Sequence, residues 1–530
     1  MRHALVVSLA SLLFAPALSS AARFIGPDPG GEAAPAAPVP QAGPEGPPPP
    51  AEGPVFELTL GGFWAFDGYT QNNFFLGKDA QGLVSDSDAY AIQIFRLQPV
   101  LTYGPSLKAV MRVDMAQGIW GVDDSQRDLF RPGFSNLFNN KDTNFEVHVD
   151  WAFLEATVDQ LGATTFRLGR QKNRLGNLLV LDQNGDGLQV SRALGAWRWT
   201  AGWTKMWEGV DGLTDQEFSA ELDGEDADLF LLEVSGKAGP WQLNPYLAYY
   251  TDRGDADLTT YIPQDLQYFV PRFTPNLSEA LVLGLAFNAE LGGFLLKGEL
   301  DYLSGSDDVP NTDSGPNQVL DVNNGDLSGY NLFIDVKRRL GPGTLGAVFG
   351  RGSGDEDPMS GKGNINKIRT NGFFYLTEVW EDSIMPDEEG ITPQGLGSPA
   401  SRGYRELENT TLVQLNYAWP FAEAFKLFAS GTLLRASEAL RPWSDANEDG
   451  VISPGELGTD SSSDLGGELD ARLDWSVMKS LTWTLRGGVF FPGTAAGYLI
   501  NGSDAFLDNA WELRTTVSFD FSGLKLGTSR

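Results

Sequence analysis

The sequence predicts an all-β chain: a transmembrane antiparallel β-barrel of about 18 strands, with short turns at one end and long connections at the other. Three observations predict it. Segments of roughly ten residues alternate apolar and polar side chains with the period of two that belongs to strands. The links between these segments alternate short and long. One face of each segment is aromatic and aliphatic while the other carries several charges, and beyond the first residues no stretch approaches the roughly 18 uninterrupted apolar residues of a spanning helix.

The chain opens with "MRHALVVSLASLLFAPALSSAA", in which a basic Arg2 precedes an apolar run from Ala4 to Phe14 and small residues before Arg23. That order describes a secretory signal peptide over residues 1–22, cleaved near Ala22. Residues 23–54 follow, with "PDPGGEAAPAAPVPQAGPEGPPPPAEGP" over 27–54. This proline-rich run cannot pack and reads as a periplasmic linker. Residues 55–530 are then the barrel.

Composition narrows the partners. There are 70 Asp and Glu against 38 Lys and Arg, a net charge of −32, which excludes nucleic acid. The 530 residues contain no cysteine, so disulfides, lipoprotein acylation and thiolate metal sites are excluded as well.

The strands follow from the alternation. In "AWRWTAGWTKMW", Trp197, Trp199, Trp203 and Trp207 share one face, opposite Arg198, Thr200 and Thr204. In "FEVHVDWAF", Phe145, Val147, Val149, Trp151 and Phe153 stand opposite Glu146, His148 and Asp150. The same reading places strands near 55–67, 88–103, 106–119, 143–159, 162–172, 186–194, 196–208, 226–237 and 239–252. It continues with 278–291, 293–304, 327–340, 343–351, 406–418, 422–436, 464–478, 480–491 and 509–521. Short links such as "YGPS", "ALGA", "AGP", "LGG", "LGPG" and "KS" alternate with long polar ones near 208–226, 253–277, 304–327, 352–405 and 437–464. Short periplasmic turns, long extracellular loops and an even strand count are the layout of a bacterial outer-membrane barrel. A soluble sandwich would bury one strand face in a dry core and wet the other. Here Trp64, Trp120, Tyr249, Tyr250, Trp419 and Trp443 fall at strand ends, as girdles at a lipid bilayer interface require.

Two kinds of chemistry are legible. "DANEDGVISPGE", residues 445–456, has the ligand order of a twelve-residue calcium loop: Asp445, Asn447 and Asp449 at positions 1, 3 and 5, Gly450 at 6, the Val451 carbonyl at 7 and Glu456 at 12. Pro442 and Pro454 exclude a flanking helix pair, so Ca(2+) here would be a structural ion stiffening an outer loop. "DQNGDG" places Asp182, Asn184 and Asp186 in similar register without the closing glutamate, and a hairpin turn explains it equally well. On the polar strand faces stand Lys108, Arg112, Arg167, Arg198, Lys297, Lys337, Arg472, Arg486 and Arg514. They share those faces with Asp114, Glu146, Asp150, Glu299, Asp301, Asp335, Asp470 and Asp474. Such a mixed lumen is either a salt-bridge lattice that stiffens the wall or, where the arginines are unpaired, an anion-selective pore. His148 is the one histidine after the signal peptide, and no serine near it has a nucleophile motif, so the chain reads as no enzyme.

Three stretches resemble the alginate-export family of outer-membrane barrels: "FRLGRQKNRLGN" at 166–177, "DGLQV" at 186–190 and "GRGSGDEDP" at 350–358. The resemblance implies an 18-strand barrel with an arginine-lined pore, in which "GRQ" ends one strand, "DG" begins the next and "SGD" follows a late strand. The mixed lumen and short periplasmic turns of this chain depart from that family's pattern. The expected function is a porin-like channel for passive passage of small hydrophilic solutes, anionic or saccharide in character, extending to export of an anionic polysaccharide. The alternative is a surface structural or adhesion barrel whose calcium-stabilised acidic loops do the work.

Overall fold

The computed structural model describes residues 56–74, 76–77, 87–117, 146–205, 228–252, 278–307, 325–354, 375–380, 407–444, 454–521 and 523–529. The expected signal peptide and linker, and Trp120, lie outside these residues. The described chain is nearly all strand. Its first half contains β1 (Phe56–Asn72), β2 (Ser87–Tyr103), β3 (Leu107–Gln117), β4 (Glu146–Val158), β5 (Thr164–Arg174), β6 (Asp182–Leu194), β7 (Trp197–Lys205), β8 (Asp228–Ala238) and β9 (Trp241–Asp252). The middle contains β10 (Ser278–Leu291), β11 (Phe294–Asp307), β12 (Gly325–Leu340), β13 (Gly343–Gly352), β14 (Thr410–Ala422) and β15 (Phe425–Leu440). The last part contains β16 (Ser462–Met478), β17 (Leu481–Pro492), the helix α1 (Thr494–Asn501), β18 (Ala510–Asp520) and β19 (Leu524–Ser529).

Every strand pairs antiparallel with its sequence neighbour except at the closure. There β1 pairs along its whole length with β2 and, on its other edge, first with β19 and then with β18. Phe63 faces Asp520 and Leu60 faces Leu524, so β18 and β19 are one wall position interrupted at 521–523. The sheet is therefore a closed barrel of 18 strand positions. Closure leaves no unpaired edge, which is the condition for strands to cross hydrocarbon.

The alternation read from the sequence sorts side chains between two environments. Leu168, Leu415, Leu433 and Leu469 are each at least 60% exposed and point outward, while Asp67, Glu299, Asp301 and Glu468 are buried inside. Exposed leucines around a closed wall with buried carboxylates is an inside-out protein, and lipid is the solvent that makes it favourable. Beside the short turns the outer wall carries a run of aromatic rings across β14 to β17: Trp419, Phe421, Phe425, Trp475 and Trp483, with successive centroids 5.5–6.1 Å apart. Indoles at this level bridge hydrocarbon and headgroups. Gly195 and Gly239, with φ of 64° and 61°, supply the left-handed backbone that two of the tight turns need.

The structure corrects the sequence reading in several places. β1 runs on to Asn72, β6 begins at Asp182, and the wall continues beyond residue 521 as β19. The 492–509 connection contains a helix, α1. Tyr250 is buried in an interior cluster, and Trp443 donates its indole N–H to the Tyr498 carbonyl at 2.7 Å, so neither belongs to the girdle. β14 starts at Thr410, some residues later than the alternation implies. Finally, β4 carries a bulge: Arg112 pairs with Trp151 but Val113 pairs with Val149, leaving Asp150 as the extra residue. A bulge shifts the side-chain parity by one. Val149 faces out and so does Leu154, while Trp151, Phe153 and Glu155 turn toward the lumen, opposite to the face that strict alternation assigns them.

Candidate functional site

Three chain segments from the long-connection end fold into the lumen. The first is the tight connection 175–181. Leu175, Leu179, Val180 and Leu181 are buried, and the Leu175 N–H bonds the Leu181 carbonyl at 3.2 Å. Asn177 anchors it across the barrel, donating its backbone N–H to Glu299 and its side-chain amide to the Gly298 carbonyl at 3.0 Å. Gly176 has a φ of 52°, and a Cβ there would run into the Glu299 carboxylate, so a side chain at this position is strained and displaces that carboxylate. Glu299 and its neighbour Asp301 in turn accept from, or share a hydrogen with, the Tyr246 hydroxyl, at 2.6 Å each.

The second segment is 375–380, inside the longest connection. The Val379 and Trp380 N–H groups both donate to the Glu468 carboxylate of β16, at 2.6 and 2.8 Å. Gln414 bonds the Leu376 carbonyl at 2.8 Å, and Arg486 pairs with Glu378 at 3.2 Å. Trp380 stacks on Phe490, centroids 4.7 Å apart. The third is α1, whose residues Ala495 to Asn501 are all buried against β15, β16 and β17. Leu179, Val379, Trp380, Leu499 and Ile500 meet in one apolar cluster with inward residues of β12 to β17. The segments thus brace one another and narrow the lumen from within.

Next to the first segment lies a cavity of about 340 Å³. Trp151, Phe153 and Leu231 give it apolar walls, Arg167, Lys172 and Arg174 a cationic side, and Glu233 an opposing carboxylate. Its cations keep partners: Arg167 pairs with Glu155 at 2.8 Å, while Lys172 and Arg174 share Asp182 at 2.8 and 3.0 Å.

The nine basic residues expected on the lumen face fall into different roles. Arg112 is buried against Asp150 and stacks over the Trp151 ring at 3.7 Å. Arg514 is buried against Asp67 at 2.8 Å. These two are struts. Lys108 joins Arg167 on Glu155 at 2.9 Å, Lys337 pairs with Asp335 at 2.5 Å and Arg472 with Asp474 at 2.7 Å. Arg486 holds the second segment. Arg198 donates to the Ser191 hydroxyl at 3.2 Å, and Lys297 forms no ion pair among the described residues. Arg96, which the sequence reading did not single out, donates to Asp114 at 2.6 Å and lies 3.7 Å from Asp150. Among the described residues the wall is therefore laced by salt bridges.

Asp182, Asn184 and Asp186 do not converge. Asp182 serves Lys172 and Arg174, Asn184 bonds Asp150 and Trp151, and Asp186 pairs with Arg170 at 3.0 Å. Of the expected calcium ligands, Asp445, Asn447, Asp449 and Val451 lie outside the described residues. Glu456 closes a short 3-10 turn, Pro454–Glu456, and its carbonyl accepts the Ser444 N–H at 3.1 Å. Trp443 and Leu457 form a bridge, so the two ends of the twelve-residue stretch are held together and seated on α1.

No family model matches the sequence, and no curated protein matches it. Solved structures do. OccK9 (OpdG) of Pseudomonas aeruginosa is 13% identical, with 90% of this chain and 100% of that chain covered at a TM-score of 0.51. OccK8 (OprE) of the same organism is 13% identical over 90% and 100%, at 0.49. OccK5 (OpdH) is 12% identical over 89% and 99%, at 0.45. With its lipid-facing wall, its closed 18-strand sheet and its likeness to OccK9, the chain has the fold of a bacterial outer-membrane porin.

Proposed function

We propose that the protein is a passive channel of the bacterial outer membrane for small hydrophilic solutes, with a preference for anionic or saccharide ones. The observation that carries this reading is the cavity beside the 175–181 segment. It pairs aromatic walls, which suit a sugar or other ring, with three cations whose positions rest on two shared carboxylates. Arg174 and Lys172 divide one partner, and Arg167 and Lys108 divide another, so the cationic side of the cavity has more positive than negative groups, with Glu233 opposite. The stretches that resemble alginate exporters support the saccharide version: 166–177 builds the cavity's cationic side and the inward turn, and Arg351, Gly352 and Ser353 lead into the longest connection. Export of an anionic polysaccharide is the extended form of this proposal.

Planar-bilayer recording of the full chain tests it. Replacing Arg167, Lys172 and Arg174 together by glutamine should move the reversal potential in a salt gradient toward cation preference. Absence of conductance from correctly folded protein sinks the channel reading, and unchanged selectivity in the triple variant removes the cavity from the path.

Residues 445–456 are proposed to bind one Ca(2+) through Asp445, Asn447, Asp449, the Val451 carbonyl and Glu456. Extracellular sites of this kind bind with dissociation constants on the order of 0.1–1 mM. Chelation should then speed proteolysis between 437 and 464 while the barrel keeps its resistance to heat in detergent, because its hydrogen bonds close strand to strand. Calcium-dependent protection that persists unchanged in Glu456→Gln contradicts the ligand set.

A further inference from the structure

On the outer wall of β13, β14 and β15, a polar row sits directly above the apolar belt, on the long-connection side. Arg351, Thr411 and Arg435 are neighbours in register. The row beneath is Phe349, Val413 and Leu433, and beneath that lies exposed Leu415 between Ala347 and Gly431. Orientation is unambiguous. Arg435 stands between Leu434 and Ala436, both buried in the interior cluster, and therefore points out. Arg351 donates its Nε–H to the hydroxyl of Tyr330, an exposed outer-wall residue, at 3.1 Å. Adjacent strands lie about 4.8 Å apart, so the two arginine backbones are roughly 10 Å apart across Thr411 and both guanidinium groups reach the space over it.

Charge separates this row from a second outward polar row. On β5 to β8 a comparable outward row, Arg170, Asp186, Lys205 and Asp228, is also in register, but it neutralises itself through ion pairs of 3.0 and 3.6 Å. Among the described residues Arg351 and Arg435 have no carboxylate partner. Two outward cations with no acid beside them among the described residues can take an anion from outside the protein. At this height, where leucines give way to polar side chains, the available anion is a lipid headgroup.

We propose that Arg351 and Arg435 form a clamp for the phosphate of an outer-leaflet glycolipid of the lipid A type, with the lipid's acyl chains lying on Phe349, Val413, Leu415 and Leu433. Guanidinium groups meet phosphate oxygens through paired, charge-assisted hydrogen bonds. The Tyr330 hydroxyl orients Arg351 by accepting its Nε–H, and the two terminal nitrogens supply the hydrogens for the phosphate. The proposal rests on the outer surface alone and does not depend on which solute the lumen passes.

The test is native mass spectrometry of the detergent-purified full chain titrated with phosphorylated lipid A. The wild type should retain the lipid, and Arg351→Gln with Arg435→Gln should weaken retention about tenfold or more, the effect of losing one to two charge-assisted hydrogen bonds. Arg170→Gln, in the self-neutralised row, should retain it as the wild type does. Independently of any variant, dephosphorylated lipid A should bind the wild type at least tenfold more weakly than the phosphorylated form. Equal retention by wild type and double variant overturns the proposal, as does equal binding of the two lipids. Complete displacement by millimolar inorganic phosphate overturns the lipid assignment.

Discussion

Glu468→Ala combined with Trp380→Ala is expected to raise single-channel conductance. Two buried N–H groups, of Val379 and Trp380, have the Glu468 carboxylate as their acceptor. Without it each costs about 1–3 kcal/mol as an unsatisfied buried group, unless the segment moves to water. The Trp380 indole holds the segment against Phe490, and truncating such a side chain typically costs about 3–5 kcal/mol. Among the contacts that stay are the partly exposed Arg486–Glu378 pair, in a class usually worth below about 1 kcal/mol, the Gln414 bond and the buried Val379 side chain. The inward position should then lose to a withdrawn one, and the lumen should widen. Glu468→Gln, which keeps one acceptor oxygen, should give an intermediate result. Conductance equal to the wild type in the double variant, with the barrel intact, would mean that solutes and ions do not pass this segment.

The wall was legible in the sequence and the lumen filling was not, for a physical reason that particular residues make plain. Strand alternation follows from two solvents, lipid and lumen, acting on every second residue, so "AWRWTAGWTKMW" yields β7 within a residue or so at its start. The bulge at Asp150 defeats that logic, because one extra residue reverses the faces of Trp151, Phe153 and Glu155 without altering composition. The inward segments left a fainter signal: short apolar runs, "LLVL" at 178–181 and "GYLI" at 497–500, within connections that otherwise read as polar. Apolar residues in a connection have to be buried somewhere, and above a barrel the lumen is the available place. Which acid each arginine would find was not legible, since Arg514 and Asp67 are separated by nearly the whole chain and meet only at closure.

That closing pair yields the sharpest separation between strut and selectivity residue. Asp67 and Arg514 lie on β1 and β18, the strands that seal the barrel, where Tyr69 faces Arg514 and Asp67 faces Thr516. The Arg514 guanidinium donates to Asp67 at 2.8 Å and lies over the Tyr69 ring at 4.7 Å, and the Thr516 hydroxyl donates to the same carboxylate. Both partners are essentially excluded from solvent. Removing the arginine leaves an uncompensated buried carboxylate, a loss of about 3–5 kcal/mol in comparable pairs. Arg514→Met is therefore expected to lower the temperature at which the folded barrel converts to the slow-migrating unfolded form on gels, with no change in reversal potential. Because the penalty comes from the orphaned charge rather than from lost attraction, Asp67→Leu added to Arg514→Met should recover much of the stability. An anion-binding arginine behaves in the opposite way: its loss moves the reversal potential, and deleting a neighbouring acid does not restore it. If Arg514→Met shifts selectivity at unchanged thermal stability, Arg514 faces the solute path and the seam is held by its backbone hydrogen bonds alone.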